Sequence, residues 1–130
     1  MTTHITRICS LLAVLLLTLT LLPACSGDDD LPTGPASRVK VKLLNKDCMG
    51  TIVAIQDVRY IGWGQQSDYR INNENYIGAV WVQQGDQLFA GLTVGEEYSV
   101  DMESVETGTL GVCKRGPGPP DKAVAVYKVH

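Results

Sequence analysis

The sequence predicts an all-β body, a single β-sandwich of about seven short strands, carried behind an export leader and a flexible tether. Three observations predict it. Short alternating or β-branched apolar runs recur through residues 38–130, and glycine, proline, asparagine and aspartate punctuate them. Beyond the leader, no window has the 3.6-residue apolar spacing of an amphipathic helix.

Residues 1–24 form the leader. A polar start with His4 and Arg7 precedes an apolar segment, residues 8–22, made mostly of leucine. A membrane-crossing helix needs about 20 apolar residues, so this segment has the length of a signal-peptide core. Leu22-Pro23-Ala24-Cys25 follows at once, a leucine three residues before a cysteine with a small residue at the cut position. The motif resembles the lipobox of bacterial lipoproteins. That resemblance implies that the Cys25 thiol receives a diacylglycerol and that the leader is cleaved before it. The new amino terminus would then be acylated as well, usually with palmitate. Each buried methylene is worth about 0.8 kcal/mol, so two or three chains hold a small domain on a membrane without a transmembrane helix. Ser26, following the cysteine, resembles lipoproteins passed on to the outer membrane of Gram-negative cells. The run Asp28-Asp29-Asp30 resembles export tags of surface-displayed lipoproteins, and a solvated tether explains it equally well. An ordinary signal peptide cut nearby and an uncleaved anchor are the alternatives.

Residues 25–37 carry the acylated cysteine and then only punctuation, SGDDDLPTGPAS, which is the composition of a tether. Folded sequence is expected from Arg38. Residues 38–43 alternate apolar and basic side chains, the period-two signature of a strand with one wet face. Residues 51–61 are rich in β-branched side chains and suit a sheet interior. Residues 76–82 give a third strand, and residues 87–92 a short fourth after Gly85-Asp86. In residues 97–105, Tyr98, Val100 and Met102 alternate with Ser99, Asp101 and Glu103, giving a fifth. Residues 109–113 and 123–129 supply two more, separated by the loop KRGPGPPDK. Seven short strands with turns between them suggest a sandwich.

One stretch narrows the sandwich type. Leu92-Thr93-Val94-Gly95-Glu96-Glu97-Tyr98-Ser99-Val100 resembles the tyrosine corner of fibronectin type III and related immunoglobulin-like domains. The resemblance implies that Leu92 is the corner's core residue and that the Tyr98 hydroxyl bonds back to the corner backbone. Val94 stands where that family often has proline. Transthyretin-like and other sandwiches stay open.

The chain has 14 acidic and 11 basic residues, a formal charge of −3. Every acidic residue follows Cys25, no basic patch forms, and nucleic acid is not expected as a partner. With Cys9 lost in the leader and Cys25 acylated, Cys48 and Cys113 remain, an even pair in an exported chain. Such a pair usually forms a disulfide, worth about 4 kcal/mol for a loop of this length, and two buried thiols are the alternative. The pair lacks histidine companions for zinc, and no cofactor or metal is expected.

Chemistry has few candidates. His130 is the one histidine after the leader, and as the last residue it is expected to be mobile and a poor general base. The most suggestive surface is residues 60–76, where Tyr60, Trp63, Tyr69, Arg70 and Tyr76 are interleaved with amides and carboxylates. Flat rings stack and amides pair with hydroxyls, a mixture suited to glycans or protein partners. The simpler account makes the rings half-buried strand and edge residues and the amides turn formers. Trp81 and Phe89 are read as core. The expectation is a lipid-anchored envelope protein without enzymatic activity, acting as a binding or structural module. The alternatives are a glycan-binding module through residues 60–76 and a small hydrolase using surface carboxylates.

Overall fold

The computed structural model describes residues 31–108 and 118–130. Seven strands follow in order: β1 (Ala36–Asp47), β2 (Gly50–Ile55), β3 (Tyr69–Ile71), β4 (Glu74–Tyr76), β5 (Ala79–Gln83), β6 (Glu97–Val105) and β7 (Ala123–Val129). A single 3-10 turn at Ile61–Trp63 is the one helical element among the described residues.

The fold is all-β, but its sheet is not divided into two facing halves as a sandwich requires. Five strands close on themselves in the order β1-β2-β5-β7-β6, with β6 returning to pair with β1. Strands β1, β2 and β5 run as an antiparallel meander, and β6 crosses over to lie beside β1, a Greek-key arrangement. β7 then fills the gap, parallel to β5 and antiparallel to β6. Closure needs a strand that bends. β1 pairs with β6 through Val39–Lys42 and with β2 from Val41 onward, and its register slips between Ala36 and Val39 and again between Leu43 and Asn45. A further slip lies between Asp101 and Met102 of β6. Irregularities of this kind sharpen local twist and curl a sheet toward closure.

Inside the barrel pack Val39, Val41 and Leu43 of β1, Val53 and Ile55 of β2, Val80 and Val82 of β5, Val100 and Met102 of β6, and Val124 and Val126 of β7. They are alternate residues of each strand, as the pleat dictates. The opposite residues of β1, β2 and β5 are not all solvated. Leu44, Ile52, Ala54 and Ala79 form a second cluster with Met49, Tyr69 and Ile71, with Tyr76 and Trp81 against it. This outer layer is the hairpin β3–β4, laid over the wall made by β1, β2 and β5. A strand buried on both faces has no reason to alternate, which is why TIVAI of β2 is apolar almost throughout.

Several expected elements shift. The second strand stops at Ile55 rather than running to residue 61; Gln56 donates its amide to the Lys40 carbonyl at 2.8 Å and the chain turns. The third divides, with Tyr76 ending β4 and Ala79 opening β5 across Gly78. Gly78 has φ +76° and any Cβ there would meet Ile61 Cγ1 at 2.8 Å, so this corner requires glycine. Residues 87–92 are turns, not a strand: Phe89 donates its amide to Gly85 and its side chain is fully buried against the barrel core. The expected strand at residues 109–113 lies outside the described residues. β6 and β7 occupy the expected residues, and β1 begins two residues before the expected Arg38.

At Tyr98 the chain is pinned by a side-chain bond to the turn before β6. The Thr93 amide donates to the Tyr98 hydroxyl at 2.9 Å, the hydroxyl reaches the Thr93 carbonyl at 3.4 Å, and Leu92 packs half-buried on the core. Lys46 fastens the same segment from the other side by donating to the carbonyls of Ala90, at 3.1 Å, and Leu92.

Phe89 closes the barrel end where β5 leaves and β6 enters. Phe89→Ala is expected to cost about 3–5 kcal/mol of unfolding free energy, since little nearby can collapse into the space. Urea denaturation followed by Trp fluorescence measures it, and a loss below 1 kcal/mol would contradict this placement.

Candidate functional site

Residues 60–76 do not form one surface. Tyr60 packs half-buried against the core, edge-on to Trp63 with ring centroids 5.0 Å apart, and the Arg59 guanidinium lies 5.4 Å from its ring. Trp63 is 5% exposed and its indole N–H donates to the Pro32 carbonyl at 2.9 Å. Tyr69 is 4% exposed, its ring in the outer cluster and its hydroxyl donating to the Gly118 carbonyl at 3.1 Å. Burial, with the charge of Asp47, raises the Tyr69 phenol above its ordinary value. Arg70 projects to solvent from the middle of β3. Tyr76, opposite Tyr69 in the hairpin register, is half-buried.

The amides have backbone tasks. Asn72 and Asn73 join β3 to β4 in a two-residue turn with φ of +52° and +64°. Both central residues at positive φ make a tight hairpin whose twist matches its strands, and asparagine tolerates that conformation. Gln66 donates to the carbonyls of Ile61 and Gly64, and Gln65 to Ser67, which pins the irregular path between the 3-10 turn and β3.

Around Tyr76 the hairpin does leave a groove. A hollow of about 220 Å³ lies between the Asn72 turn and the corner at Val94 and Gly95, lined also by Lys42, Leu44, Glu74 and Tyr76. The Lys42 ammonium sits 5.5 Å over the Tyr76 ring. The Tyr76 hydroxyl donates to the Glu74 carboxylate, and that bond raises the phenol above its ordinary value. The groove therefore combines a ring, an amide, a cation and a carboxylate beside exposed Val94. Of the five expected ligand residues it includes Tyr76 alone. Lys42 and Val94 were invisible as site residues because nothing in sequence places them beside residue 76; the Asn72-Asn73 pair between Tyr69 and Tyr76 was the one hint of a turn there.

A second hollow, about 320 Å³, is lined by Lys46, Asp47, Thr51, Asp86 and Ala90. It brings two carboxylates together. Asp47 accepts from the Asn45 amide at 2.6 Å and from the Met49 backbone at 3.0 Å, and these bonds hold its carboxyl below the usual range. Asp86 accepts from the Thr51 hydroxyl at 3.3 Å. A carboxyl held ionised suits acceptance of hydrogen bonds, whereas an acid catalyst needs its proton retained.

His130 is not loose. Its amide donates to the Ser99 carbonyl at 2.9 Å and its ring nitrogen Nε2 lies 3.0 Å from Asp101 Oδ1. The same Asp101 oxygen accepts the Arg38 amide at 2.8 Å, at the bulge where Arg38 takes φ +54°. Asp101 so joins the start of β1, the middle of β6 and the chain end. Among the described residues no group of three or more His, Cys, Asp and Glu is placed to hold a metal ion. Cys113 lies outside the described residues, and Cys48 is exposed in the β1–β2 turn.

No protein-family model, curated protein or solved structure matches this chain.

The Arg38 amide, then His130 and Lys128, hold the Asp101 carboxyl below its ordinary value of 3.8. A depressed folded-state value stabilises the fold fully above 3.8, and that contribution is lost as pH falls through the lower folded value. Asp101→Asn is accordingly expected to lower Tm at neutral pH and to converge with the parent protein in strong acid. Thermal melts across the acid range test this, and a gap that stays constant with pH would refute it.

Proposed function

We propose that the protein is an exported lipoprotein of the bacterial cell envelope, anchored through acylated Cys25, whose barrel is a non-catalytic binding or structural module. One observation carries the reading: Leu22-Pro23-Ala24-Cys25 stands directly after a leucine-rich segment of signal-peptide length and before a punctuated acidic tether. Ser26 supports delivery to the outer membrane. The compact barrel supports a module that works as a rigid body beside the bilayer, since its tyrosine corner, Lys46 clasp and Asp101 junction all fix loops rather than leave them free.

A bridge between Cys48 and Cys113 belongs to the same reading. Its support is that Cys48 is disulfide-bonded and that the chain leaving residues 109–117 arrives at Gly118 against Tyr69, in the cluster that holds Met49 beside Cys48. A bridge there would tie the long β6–β7 connection to the hairpin wall.

Glycan binding is the second reading, and the groove at Tyr76 favours it, because a ring with neighbouring amide and carboxylate is the surface that sugar hydroxyls and C–H faces use. Trp63 and Tyr69, covered on both sides, would enter such a site only by unfolding it.

Mass spectrometry of the native product under non-reducing conditions is expected to find Cys25 as an acylated amino terminus and a peptide linking Cys48 to Cys113. Radiolabelled palmitate should enter the parent protein and not Cys25→Ser; label retained by the variant defeats the anchor. On a glycan array, Tyr76→Ala should abolish whatever binding the parent shows, and binding unaffected by it removes the groove from consideration.

A further inference from the structure

The stretch Leu31 to Pro35 ahead of β1 is fastened rather than trailing. Pro32 accepts the Trp63 indole N–H at 2.9 Å, and the Leu31 side chain rests on Gly62 in space that a Cβ would fill. A shallow hollow of about 300 Å³ between this stretch, Trp63, Glu103 and Ser104 marks the same contact. The tether is therefore clamped at the barrel end where β1 begins, β2 ends and β5 begins.

Length turns the clamp into an orientation. Six Cα steps separate Cys25 from Leu31, at most about 22 Å of chain. A domain of this size is roughly 30 Å across, so the opposite end, formed by residues 84–96, stands a full domain further from the anchor. At the clamped end three large apolar side chains are exposed: Val58 at 81%, Ile77 at 52% and Leu31 at 48%. Their places in the chain bring all three to this end. Val58 leads into the 3-10 turn on which Leu31 rests, and Ile77 adjoins Gly78, which lies against Ile61. The Val58 tip is rigid, since Arg59 bonds both oxygens of Asp57, at 3.0 and 2.7 Å, and the Tyr60 amide donates to the Asp57 carbonyl. That pair also cancels its own charge, while Asp28, Asp29 and Asp30 oppose an anionic surface.

We propose that this end of the barrel is a membrane-contact face, with Val58, Leu31 and Ile77 seated at the headgroup boundary of a bilayer and the Pro32–Trp63 clamp fixing the pose. The inference rests on acylation of Cys25. Its contact is apolar rather than electrostatic, so it prefers zwitterionic lipid and is insensitive to salt. Leu88 and Val94, also exposed, sit at the far end beyond the tether's reach.

The test uses the native acylated protein in vesicles of phosphatidylethanolamine and phosphatidylcholine. Val58→Cys and Leu88→Cys, both at exposed positions, are labelled separately with an environment-sensitive fluorophore, and nitroxide lipids serve as quenchers. The label at 58 should shift to the blue and be quenched, the label at 88 should do neither, and Trp63→Phe, which keeps an aromatic side chain but deletes the indole N–H that holds Pro32, should shrink the difference. Equal behaviour at 58 and 88 on protein whose Cys25 carries the acyl mass overturns the orientation alone. Absence of the acyl mass overturns the anchor reading and this inference with it.

Discussion

The pairing of β1 with two partners, β2 along its second half and β6 along its first, turns a sheet into a barrel. Without it the sheet would end in two open edges, each a row of unpaired amides and carbonyls. The pairing requires a twelve-residue strand to curl, and the two register slips in β1 supply the bend. Arg38 takes a left-handed backbone within the first slip, and Asp101 receives its amide there, so the strained residue and the carboxylate that accommodates it are paired across the closure. The His130 contact adds the chain end to the same point. One side chain on β6 thus links the closing seam to both flanking strands.

Closure also leaves two kinds of wall. The wall of β1, β2 and β5 is covered by the hairpin, and its outward residues are Leu44, Ile52, Ala54 and Ala79. On the β6–β7 side the outward residues pair with one another: Tyr127 donates to Glu103 at 2.5 Å, and Asp101 meets His130. Lys40 lies 3.7 Å from Glu97 across the β1–β6 seam. Such exposed cross-strand pairs contribute little each, but they keep an unprotected wall polar. The fold is hence asymmetric, greasy where a second layer lies over it and self-satisfied where none does.

How much of this was legible depended on periodicity. β6 and β7 were readable to their ends because each has at least one wet face and alternates. β2 read six residues too long because burial on both faces removes alternation, and Val58 and Ile61 continue the β-branched composition past the turn at Gln56. Phe89 in residues 87–92 was rightly taken as core, but the strand around it was not there: one buried ring needs only a turn to deliver it. The hairpin was hidden for the opposite reason. Three-residue strands in an amide-rich stretch carry almost no pattern, and the amides that resembled a ligand surface serve positive-φ turns. Barrel against sandwich was beyond reach, since register slips leave no mark in composition.

The aromatic stretch shows why side-chain chemistry alone misplaces a site. Trp63 and Tyr69 have the polar handles that made them attractive, and both handles are spent on backbone carbonyls of distant segments, Pro32 and Gly118. Each ring is a rivet between the barrel and a stretch of chain that would otherwise lie against it without a bond. What remains open is the groove at Tyr76, bounded by Asn72 and by the Val94–Gly95 corner that Leu43 holds through a 2.7 Å bond from the Gly95 amide. That corner belongs to the end of the barrel where β6 begins, whereas the stretch fastened at Pro32 enters where β1 begins, so the two ends of the barrel are secured by different contacts. If Cys25 is the anchor proposed above, a short tether clamped at Pro32 does more than retain the domain: it decides which of the two ends faces the bilayer.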